Sequence, residues 1–331
     1  MAHIGVIGVG SWGTALALLL HDNGHRVEVW DHNAALLKEI DEGRENPKYL
    51  PGIKIPSGLK VNYTLAETIA EKDCLLFAVP SHAIRSVLGN LTRVGDEAII
   101  VSVAKGIEND TLLRASQILA EKFPEERIAV LSGPSHAEEV SLGIPTVVVC
   151  ASKELATAEW VQKAAMNSTF RVYVQNDVTG VEIGAALKNI VAVAAGIIDG
   201  VGFGDNTKAA LLTRGLAEIT RLGIKLGADP LTFAGLSGMG DLIVTCMSKH
   251  SRNRYVGEQI GKGKTLQQVL DEMIMVAEGV KTTKSAYDLA MKHDVEVPII
   301  NEVYSILFEN KNPKQAVFDL MTRAAKFEDW G

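Results

Sequence analysis

Cysteine is scarce in this chain of 331 residues, which has three, at positions 74, 150 and 246. An odd and scattered set predicts neither a disulfide framework nor a cysteine-based zinc site. We interpret the three as reduced packing residues of a cytosolic protein. The eight histidines have no paired metal-ligand spacing, and no G-x-S-x-G motif occurs. We therefore expect no metal centre and no serine nucleophile of the hydrolase type.

Basic residues are also fewer than acidic ones. Lysine and arginine number 33 against 40 aspartates and glutamates, which gives a formal net charge of -7. A protein with this balance is not expected to bind nucleic acid or an anionic membrane through its overall field. Any anion that it binds must therefore meet a local cationic pocket.

Long uninterrupted apolar runs are missing as well. The stretch "IGVIGVGSWGTALALLL", residues 4–20, is apolar but contains four glycines, and no basic leader precedes it. A second apolar stretch, residues 183–198, has Lys188 and Asn189 in its interior. We expect neither a signal peptide nor a membrane span, and we expect a cytoplasmic location.

The order of the predicted elements indicates two domains, at residues 1–177 and 178–331, as the length of the chain also favours. In the first part, short apolar runs alternate with helical stretches, which predicts an α/β Rossmann-type, doubly wound parallel sheet. The second part is expected to be all-helical. The predicted strands are His3–Ile7, Arg26–Asp31, Cys74–Val79, Ala98–Val103, Arg127–Leu131 and Thr146–Cys150.

Three glycines in the first apolar stretch have the spacing of a dinucleotide-binding turn, Gly8-x-Gly10-x-x-Gly13. They follow a predicted strand and precede a helix predicted at Thr14–Asn23. This context favours a tight turn whose backbone amides meet a pyrophosphate. Asp31 ends the second strand about 20 residues later, where a carboxylate can bind the adenosine ribose. The alternative is a glycine-rich turn without a ligand.

Three further segments follow predicted strands, where such sheets bind their ligands. The first, residues 79–82, is equally consistent with a proline turn. In the second, Lys105 is either a functional lysine or a solvated one. In the third, Ser135-x-x-Glu138 has the pattern of a helix capping box, which is compatible with binding an anion at the same amides.

Lys188 is the only charged residue in "GAALKNIVAVAAG", residues 184–196. If this ammonium is buried, its pKa is expected to fall toward neutrality, and a lysine with such a pKa can give a proton to a developing alkoxide and take it back. The alternative is a lysine that snorkels from the edge of a core helix. Asp241 either caps a helix or orients such an ammonium. The "SRNR" stretch, 251–254, is either an exposed basic patch or a phosphate site.

The chain resembles the bacterial NAD(P)-dependent glycerol-3-phosphate dehydrogenases from about residue 4 to residue 320. The motifs that carry the resemblance follow one another in the family's order: "GVGSWGTALA", "YLPG", "AVPS", "AKGIE", "SGPSHAEEV", "GAALKNIVAVAAGIIDG", "NTKAALLTRGLAEI", "LSGMGDLIVTC" and "SRNR". The resemblance implies reversible reduction of dihydroxyacetone phosphate to sn-glycerol 3-phosphate for glycerophospholipid synthesis. It also implies a homodimer.

The resemblance also implies site residues. Lys188 is the general acid/base, Lys105 is a second cation near the substrate, and Asn189, Asp241 and Thr245 form the network around the reacting hydroxyl. The implied substrate contacts, besides Lys105, Lys188 and Asp241, are Gly133, Ser135, Ser251, Arg252 and Asn253, with Arg252 on the phosphate. The implied cofactor contacts, besides the glycines and Asp31, are Ser11, Trp12, His32, Lys105, Ala137, Arg252, Val276 and Glu278.

Asp31 departs from the pattern of many relatives, which have a small residue there followed by a basic one. Its carboxylate is expected to repel a 2′-phosphate, which His32 offsets only in part. The sequence therefore predicts a tilt toward NAD(H) over NADP(H). Two other functions stay open at this point. One is a related dehydrogenase acting on β-hydroxyacids or ketopantoate, and the other is a non-enzymatic redox sensor that binds nicotinamide cofactor.

Overall fold

The structure is a computed structural model that describes residues 1–328 apart from 93, 274 and 326. The chain divides into two compact units. The first comprises Met1–Ala104 and Ala115–Val178, and the second comprises Lys105–Arg114 and the residues from Thr179 onward. The segment Lys105–Arg114 thus belongs with the helical part, although the predicted domain boundary lay only after residue 177. That boundary stays a prediction.

The first unit contains an eight-stranded sheet and a small antiparallel hairpin. The spatial order of the sheet is β10-β9-β8-β7-β6-β1-β2-β5, and β3 pairs with β4 in the hairpin. The strands are β1 His3–Ile7, β2 Arg26–Trp30, β3 Glu45–Asn46, β4 Leu50–Lys54, β5 Lys60–Val61, β6 Cys74–Phe77, β7 Ile99–Ser102, β8 Ile128–Ser132, β9 Thr146–Ser152 and β10 Phe170–Gln175.

The order of the strands reverses at β1, which pairs in parallel with β2 on one side and with β6 on the other. In the shared register, Val6 lies opposite Val29 and opposite Leu76, and all three side chains are buried. Such a reversal is the place where open α/β sheets bind ligands, just beyond the carboxyl ends of the strands. The glycine motif begins directly after β1.

The predicted fold class is confirmed, with one local correction to its parallel sheet. Strand β9 runs antiparallel to β8, because the connection between them contains only one five-residue helix, Ala137–Ser141, which is too short to carry the chain back along the sheet. Strand β10, which was not predicted, then pairs with β9 in parallel. Buried and exposed residues alternate along it, with Arg171 and Tyr173 exposed, so it lacks the continuous apolar run that predicted the other strands.

Seven helices accompany this sheet in the described part of the first unit. They are α1 Ser11–Asp22, α2 Ala34–Gly43, α3 Leu65–Ile69, α4 Ile84–Gly89, α5 Ala115–Ala120, α6 Ala137–Ser141 and α7 Leu155–Ala165. Helix α1 begins at Ser11, three residues before its predicted start, because the backbone turns into the helix directly after Gly10. Its residues from Ala15 to Leu20 are all buried, so this part of the helix is enclosed on every side by the core of the unit.

Among its described residues from 179 onward, the second unit contains helices joined by turns and loops, and no strand. Its helices are α8 Val178–Val201, α9 Asp205–Lys225, α10 Pro230–Phe233, α11 Asp241–Met247, α12 Arg252–Gly261, α13 Leu266–Glu272, α14 Glu278–His293, α15 Pro298–Phe308 and α16 Pro313–Met321. One turn of π-helix, Leu236–Gly240, precedes α11. The expectation of an all-helical second part therefore agrees with its described residues from 179 onward.

Helix α8 is the centre of this unit. By length and composition it is one of two helical stretches in the described part of the chain that could cross a membrane, and the other is residues 230–247. The most apolar window of α8 is entirely buried inside the protein, whereas that of the second stretch is 44% buried. Burial of this kind is typical of a core helix, and α8 packs within a cluster of aliphatic side chains from the other helices.

Candidate active site

The glycine turn after β1 has the shape expected of a phosphate-binding turn. Gly8 has a φ of +103°, which favours glycine, and a Cβ on Gly13 would lie 2.0 Å from the carbonyl oxygen of Gly8. A Cβ on Gly10, in contrast, would meet no atom within 4 Å. Thus Gly8 and Gly13 are needed for the fold of the turn, whereas Gly10 leaves open space over the first amides of α1.

Two side chains beside this turn also fit a dinucleotide. The indole Nε1 of Trp12 is buried and has no hydrogen-bond partner among the described residues. Asp31, at the end of β2, accepts a hydrogen bond from the backbone amide of Val9 at 3.0 Å and another from that of Asn33 at 3.0 Å. A carboxylate accepts about four hydrogen bonds, so Asp31 keeps room for ribose hydroxyls.

His32 is the exposed neighbour of this carboxylate. Its Nδ1 lies 2.9 Å from Asp31 Oδ1, and its side chain is 88% exposed against 11% for Asp31. The carboxylate therefore both supports the glycine turn through Val9 and places a negative charge at the end of β2. The supporting role was not predicted from the sequence.

The segment after β8 does not contain the predicted capping box. Helix α6 begins at Ala137, and its N-cap residue is His136, which makes no side-chain cap bond. Ser135 lies one residue too early, and its hydroxyl donates to the carbonyl of Gly133 at 2.9 Å. Gly133 itself has a φ of +137°. Gly133 and Ser135 therefore lie in the turn that follows β8, and Ala137 begins the helix after it.

Lys188 lies in a buried ionic cluster within the second unit. Its Nζ is 2.8 Å from Asp241 Oδ1 and 2.5 Å from the hydroxyl of Thr245. The second carboxylate oxygen of Asp241 accepts a hydrogen bond from Lys105 Nζ at 2.8 Å. The sequence left open whether Asp241 caps a helix or orients an ammonium. In the structure its carboxylate binds both ammonium groups, and the N-cap residue of α11 is Gly240 instead.

The pKa values of this cluster follow from burial and from its charges. Burial lowers the pKa of Lys188 from 10.5 to about 8, although attraction to Asp241 opposes the change, and the like charge of Lys105 lowers it further. Burial alone would raise the pKa of Asp241, but attraction to Lys105 and Lys188 outweighs this and lowers it. The carboxylate therefore stays ionised, and Lys188 can exchange a proton near neutral pH.

Asn189 connects three segments of the second unit. Its Nδ2 donates to the backbone carbonyl of Lys105 at 3.0 Å, and its Oδ1 accepts a hydrogen bond from Asn253 Nδ2 at 2.8 Å. The Oδ1 of Asn253 in turn accepts from the backbone amide of Gly279 at 2.9 Å. Two carboxamides thus fix Lys105, the first turn of α12 and the first turn of α14 relative to one another.

The "SRNR" stretch forms the start of α12. The hydroxyl of Ser251 caps the helix by accepting from the amide of Arg254 at 3.2 Å. Arg252 is exposed, and its Nη1 donates to the carbonyl of Val276 at 3.3 Å. Arg254 points elsewhere, to Asp199. Of the two arginines, Arg252 alone combines exposure with a place beside Ser251, Asn253 and Val276.

Two family models cover most of the chain. The model described as the NAD-dependent glycerol-3-phosphate dehydrogenase N-terminus matches residues 3–158, and the model of the C-terminus of the same enzyme matches residues 177–318. The chain belongs to the NAD-dependent glycerol-3-phosphate dehydrogenase family.

Relatives in this family are similar over nearly their whole length. The glycerol-3-phosphate dehydrogenase of Thermoanaerobacter sp. strain X514 is 53% identical over 326 residues, which cover 98% of each chain. That of Bacillus subtilis strain 168 is 52% identical and covers 99% of this chain and 96% of its own. A crystal structure of glycerol-3-phosphate dehydrogenase from Coxiella burnetii superimposes with a TM-score of 0.93 at 35% identity, covering 97% of this chain and 99% of that one.

In this member of the dehydrogenase family, the expected site residues fall into two groups by unit. Hydrogen bonds within the second unit join six of them, Lys105, Lys188, Asn189, Asp241, Thr245 and Asn253. The same unit also contains Arg252, Val276 and Glu278. The first unit contains the others: the glycine turn, Trp12, Asp31, His32, Gly133, Ser135 and Ala137. Their roles toward ligands stay predictions.

The structure adds residues that the sequence analysis missed. Glu182 pairs with Arg114, and Ser285 donates to the carbonyl of Ile107 at 3.0 Å. Together they attach the Lys105–Arg114 segment to α8 and α14, and so help to place Lys105. Glu182 was visible as an isolated acid in an apolar helix, whereas nothing in the sequence distinguishes Ser285 from other serines.

Proposed function

We propose that this chain is a dehydrogenase that interconverts dihydroxyacetone phosphate and sn-glycerol 3-phosphate with NAD(H) or NADP(H). The observation that carries the proposal is the buried Lys188–Asp241–Lys105 cluster, in which Lys188 has a pKa of about 8. This cluster lies in a chain of the glycerol-3-phosphate dehydrogenase family. A related dehydrogenase for β-hydroxyacids or ketopantoate is disfavoured by the family matches over both parts of the chain.

The dinucleotide is proposed to bind at the glycine turn, where it supplies or accepts the hydride. Gly10 and the first amides of α1, beginning at Ser11, hold the pyrophosphate, and Asp31 accepts hydrogen bonds from the adenosine ribose. Because a 2′-phosphate would approach this carboxylate, the proposed preference is for NAD(H). The exposed imidazole of His32 lies beside Asp31 and offsets this preference only in part.

Lys188 is proposed to move the proton. Two of its three N–H donors are used by Asp241 and Thr245 among the described residues, which leaves one for the substrate oxygen. During reduction, the carbonyl oxygen of the substrate gains negative charge and takes a proton from the Lys188 ammonium. In the reverse direction, neutral Lys188 removes the proton from the hydroxyl.

Lys105 and Arg252 are proposed to hold the substrate's charges. In the buried cluster two ammonium groups share one carboxylate. The cluster as a whole therefore carries a net positive charge, which stabilises the developing alkoxide. The exposed guanidinium of Arg252, with Ser251 and Asn253 beside it, suits a phosphate. These groups are a local cationic site in a protein whose net charge is -7.

The direct test mixes the purified protein with NADH and dihydroxyacetone phosphate and follows the loss of NADH absorbance. The proposal expects turnover, with sn-glycerol 3-phosphate as the product. A chain that binds NADH but turns over none of it with this substrate would contradict the enzymatic proposal and favour a redox sensor.

We further propose a homodimer that works in the cytoplasm and supplies glycerophospholipid synthesis. The proposal is supported by the family, and for the location by the three buried, unpaired cysteines. Sedimentation analysis of the pure protein at micromolar concentration tests the dimer, and a monomer there would refute it.

A further inference from the structure

Asp199 forms an ionic junction that the proposed chemistry leaves unused. It lies about three turns after Lys188 on α8. Its two carboxylate oxygens each lie 2.8 Å from Lys208 Nζ, and Oδ2 also accepts from Arg254 Nε at 2.7 Å. The side chains of Asp199, Lys208 and Arg254 are 21%, 20% and 16% exposed. One partly buried carboxylate thus ties α8, α9 and α12 together.

The backbones of α8 and α12 touch beside this junction. A Cβ on Gly196 would lie 1.9 Å from the carbonyl oxygen of Arg254, and a Cβ on Gly257 would lie 1.9 Å from that of Val193. With no side chain between them at these positions, the two helices pack at the closest distance that backbones allow. This tight packing leaves little slack between the two helices, and the Asp199–Arg254 ion pair holds the start of α12 in register with α8.

Arg252 begins α12, in the same turn that this junction binds. Arg254, which binds Asp199, is in the same first turn, and its amide is held by the hydroxyl of Ser251. Asn253 is bound to Asn189 on α8. The residues on both sides of Arg252 are therefore anchored, whereas its own side chain is exposed.

We infer that Asp199 is a positioning residue for recognition of the substrate's phosphate. Through Arg254 it holds the first turn of α12, and it thereby keeps Arg252 at a fixed reach from Lys188. The substrate class is then a ketone whose phosphate group lies at one set distance from its carbonyl carbon. This inference rests on the proposed function, since it assigns Arg252 to the phosphate.

The experiment compares a phosphorylated substrate with its phosphate-free counterpart. For Asp199→Asn, the KM for dihydroxyacetone phosphate is expected to rise about tenfold, since small displacements of a positioning group weaken binding strongly. The kcat/KM for dihydroxyacetone, which has no phosphate for Arg252 to bind, is expected to change less than about twofold. Arg252→Ala gives the size of the effect when the phosphate contact is lost altogether.

Two more variants separate positioning from general damage. Arg254→Lys keeps the positive charge but loses the planar fork that binds Asp199, so it is expected to lower the ratio of the two kcat/KM values as Asp199→Asn does. Asp319→Asn removes a carboxylate from another ion-pair cluster of the same unit, where Lys311 binds both Asp319 and Glu302, and is expected to leave the ratio unchanged.

The inference would be overturned if the ratio of the two kcat/KM values stayed at the wild-type value in both Asp199→Asn and Arg254→Lys. Equal losses on the two substrates give this same unchanged ratio. Thermal unfolding of each variant shows whether a loss on both substrates comes from unfolding. A wild-type chain that fails to reduce dihydroxyacetone phosphate would refute the proposed function itself, and the inference with it. An active wild type with an unchanged ratio in the variants refutes only the role of Asp199.

Discussion

The ammonium of Lys188 lies 2.8 Å from the carboxylate of Asp241, and the lysine side chain is only 6% exposed. The same carboxylate binds Lys105 at 2.8 Å. A single negative charge is therefore shared by two positive ones, so the attraction does not fully offset the burial of Lys188. This arrangement explains why its pKa is lowered to about 8 while its partner stays ionised.

Replacement of Lys188 tests its role as acid and base. Lys188→Ala is expected to lower kcat at least about a hundredfold, the usual scale for loss of a positioned proton donor. Dinucleotide binding, measured by NADH fluorescence, is expected to stay near the wild-type value because the glycine turn is unchanged. A variant with kcat near that of the wild type would show that another group moves the proton.

The pH dependence of the two directions follows from the pKa of Lys188. Below about pH 8 the side chain is the ammonium that reduction needs, and above it the neutral amine that oxidation needs. The kcat for reduction is therefore expected to fall as the pH rises through about 8, whereas the kcat for oxidation rises over the same range. Steady-state rates in both directions, with saturating substrates, measure these profiles.

Removal of Lys105 is expected to move this inflection to higher pH. The like charge of Lys105 lowers the pKa of Lys188, and without it Asp241 attracts Lys188 alone. Lys105→Met should thus retain some activity whose inflection lies at higher pH. Lys153→Met, which removes an exposed lysine paired with Glu125, is the control. An inflection that shifts downward in Lys105→Met would contradict the electrostatic account.

Two glycines of the phosphate turn are expected to respond differently to the same substitution. Gly13→Ala brings a methyl group to 2.0 Å from the carbonyl oxygen of Gly8, and so is expected to lower the thermal stability. Gly10→Ala meets no protein atom within 4 Å and should fold as the wild type does. Its methyl group occupies the space assigned to the pyrophosphate, so the dissociation constant for NADH should rise at least about tenfold.

Thermal unfolding without cofactor and a titration with NADH separate these two effects. Wild-type NADH affinity in Gly10→Ala would place the pyrophosphate elsewhere.

Cofactor preference is expected to depend on the charge of Asp31. The wild type should have a higher kcat/KM with NADH than with NADPH. Asp31→Asn keeps an oxygen that accepts from the amide of Val9 but removes the charge, and is expected to shift the ratio about tenfold toward NADPH, as the loss of a like-charge repulsion of about 1.4 kcal/mol implies. A wild-type preference for NADPH would contradict this account.

The sequence by itself determined the local elements that carry the chemistry. Short apolar runs gave the central strands, since a strand buried on both faces must be apolar along its whole length. The spacing of Gly8, Gly10 and Gly13 between a strand and a helix predicted the phosphate turn, because few other residues fit that geometry. The charge of Lys188 within an apolar helix predicted a lowered pKa from burial alone.

The tertiary structure decided which groups meet. Lys105, Lys188 and Asp241 lie far apart in the sequence, and only the packing of the helices and of the Lys105–Arg114 segment brings them to one cluster. The local pattern at Ser135 and Glu138 favoured a capping box, but the turn at Gly133 moved the start of the helix to Ala137. Local propensity acts over a few residues, whereas contacts across the chain depend on how whole elements pack, and this is what the linear pattern does not contain.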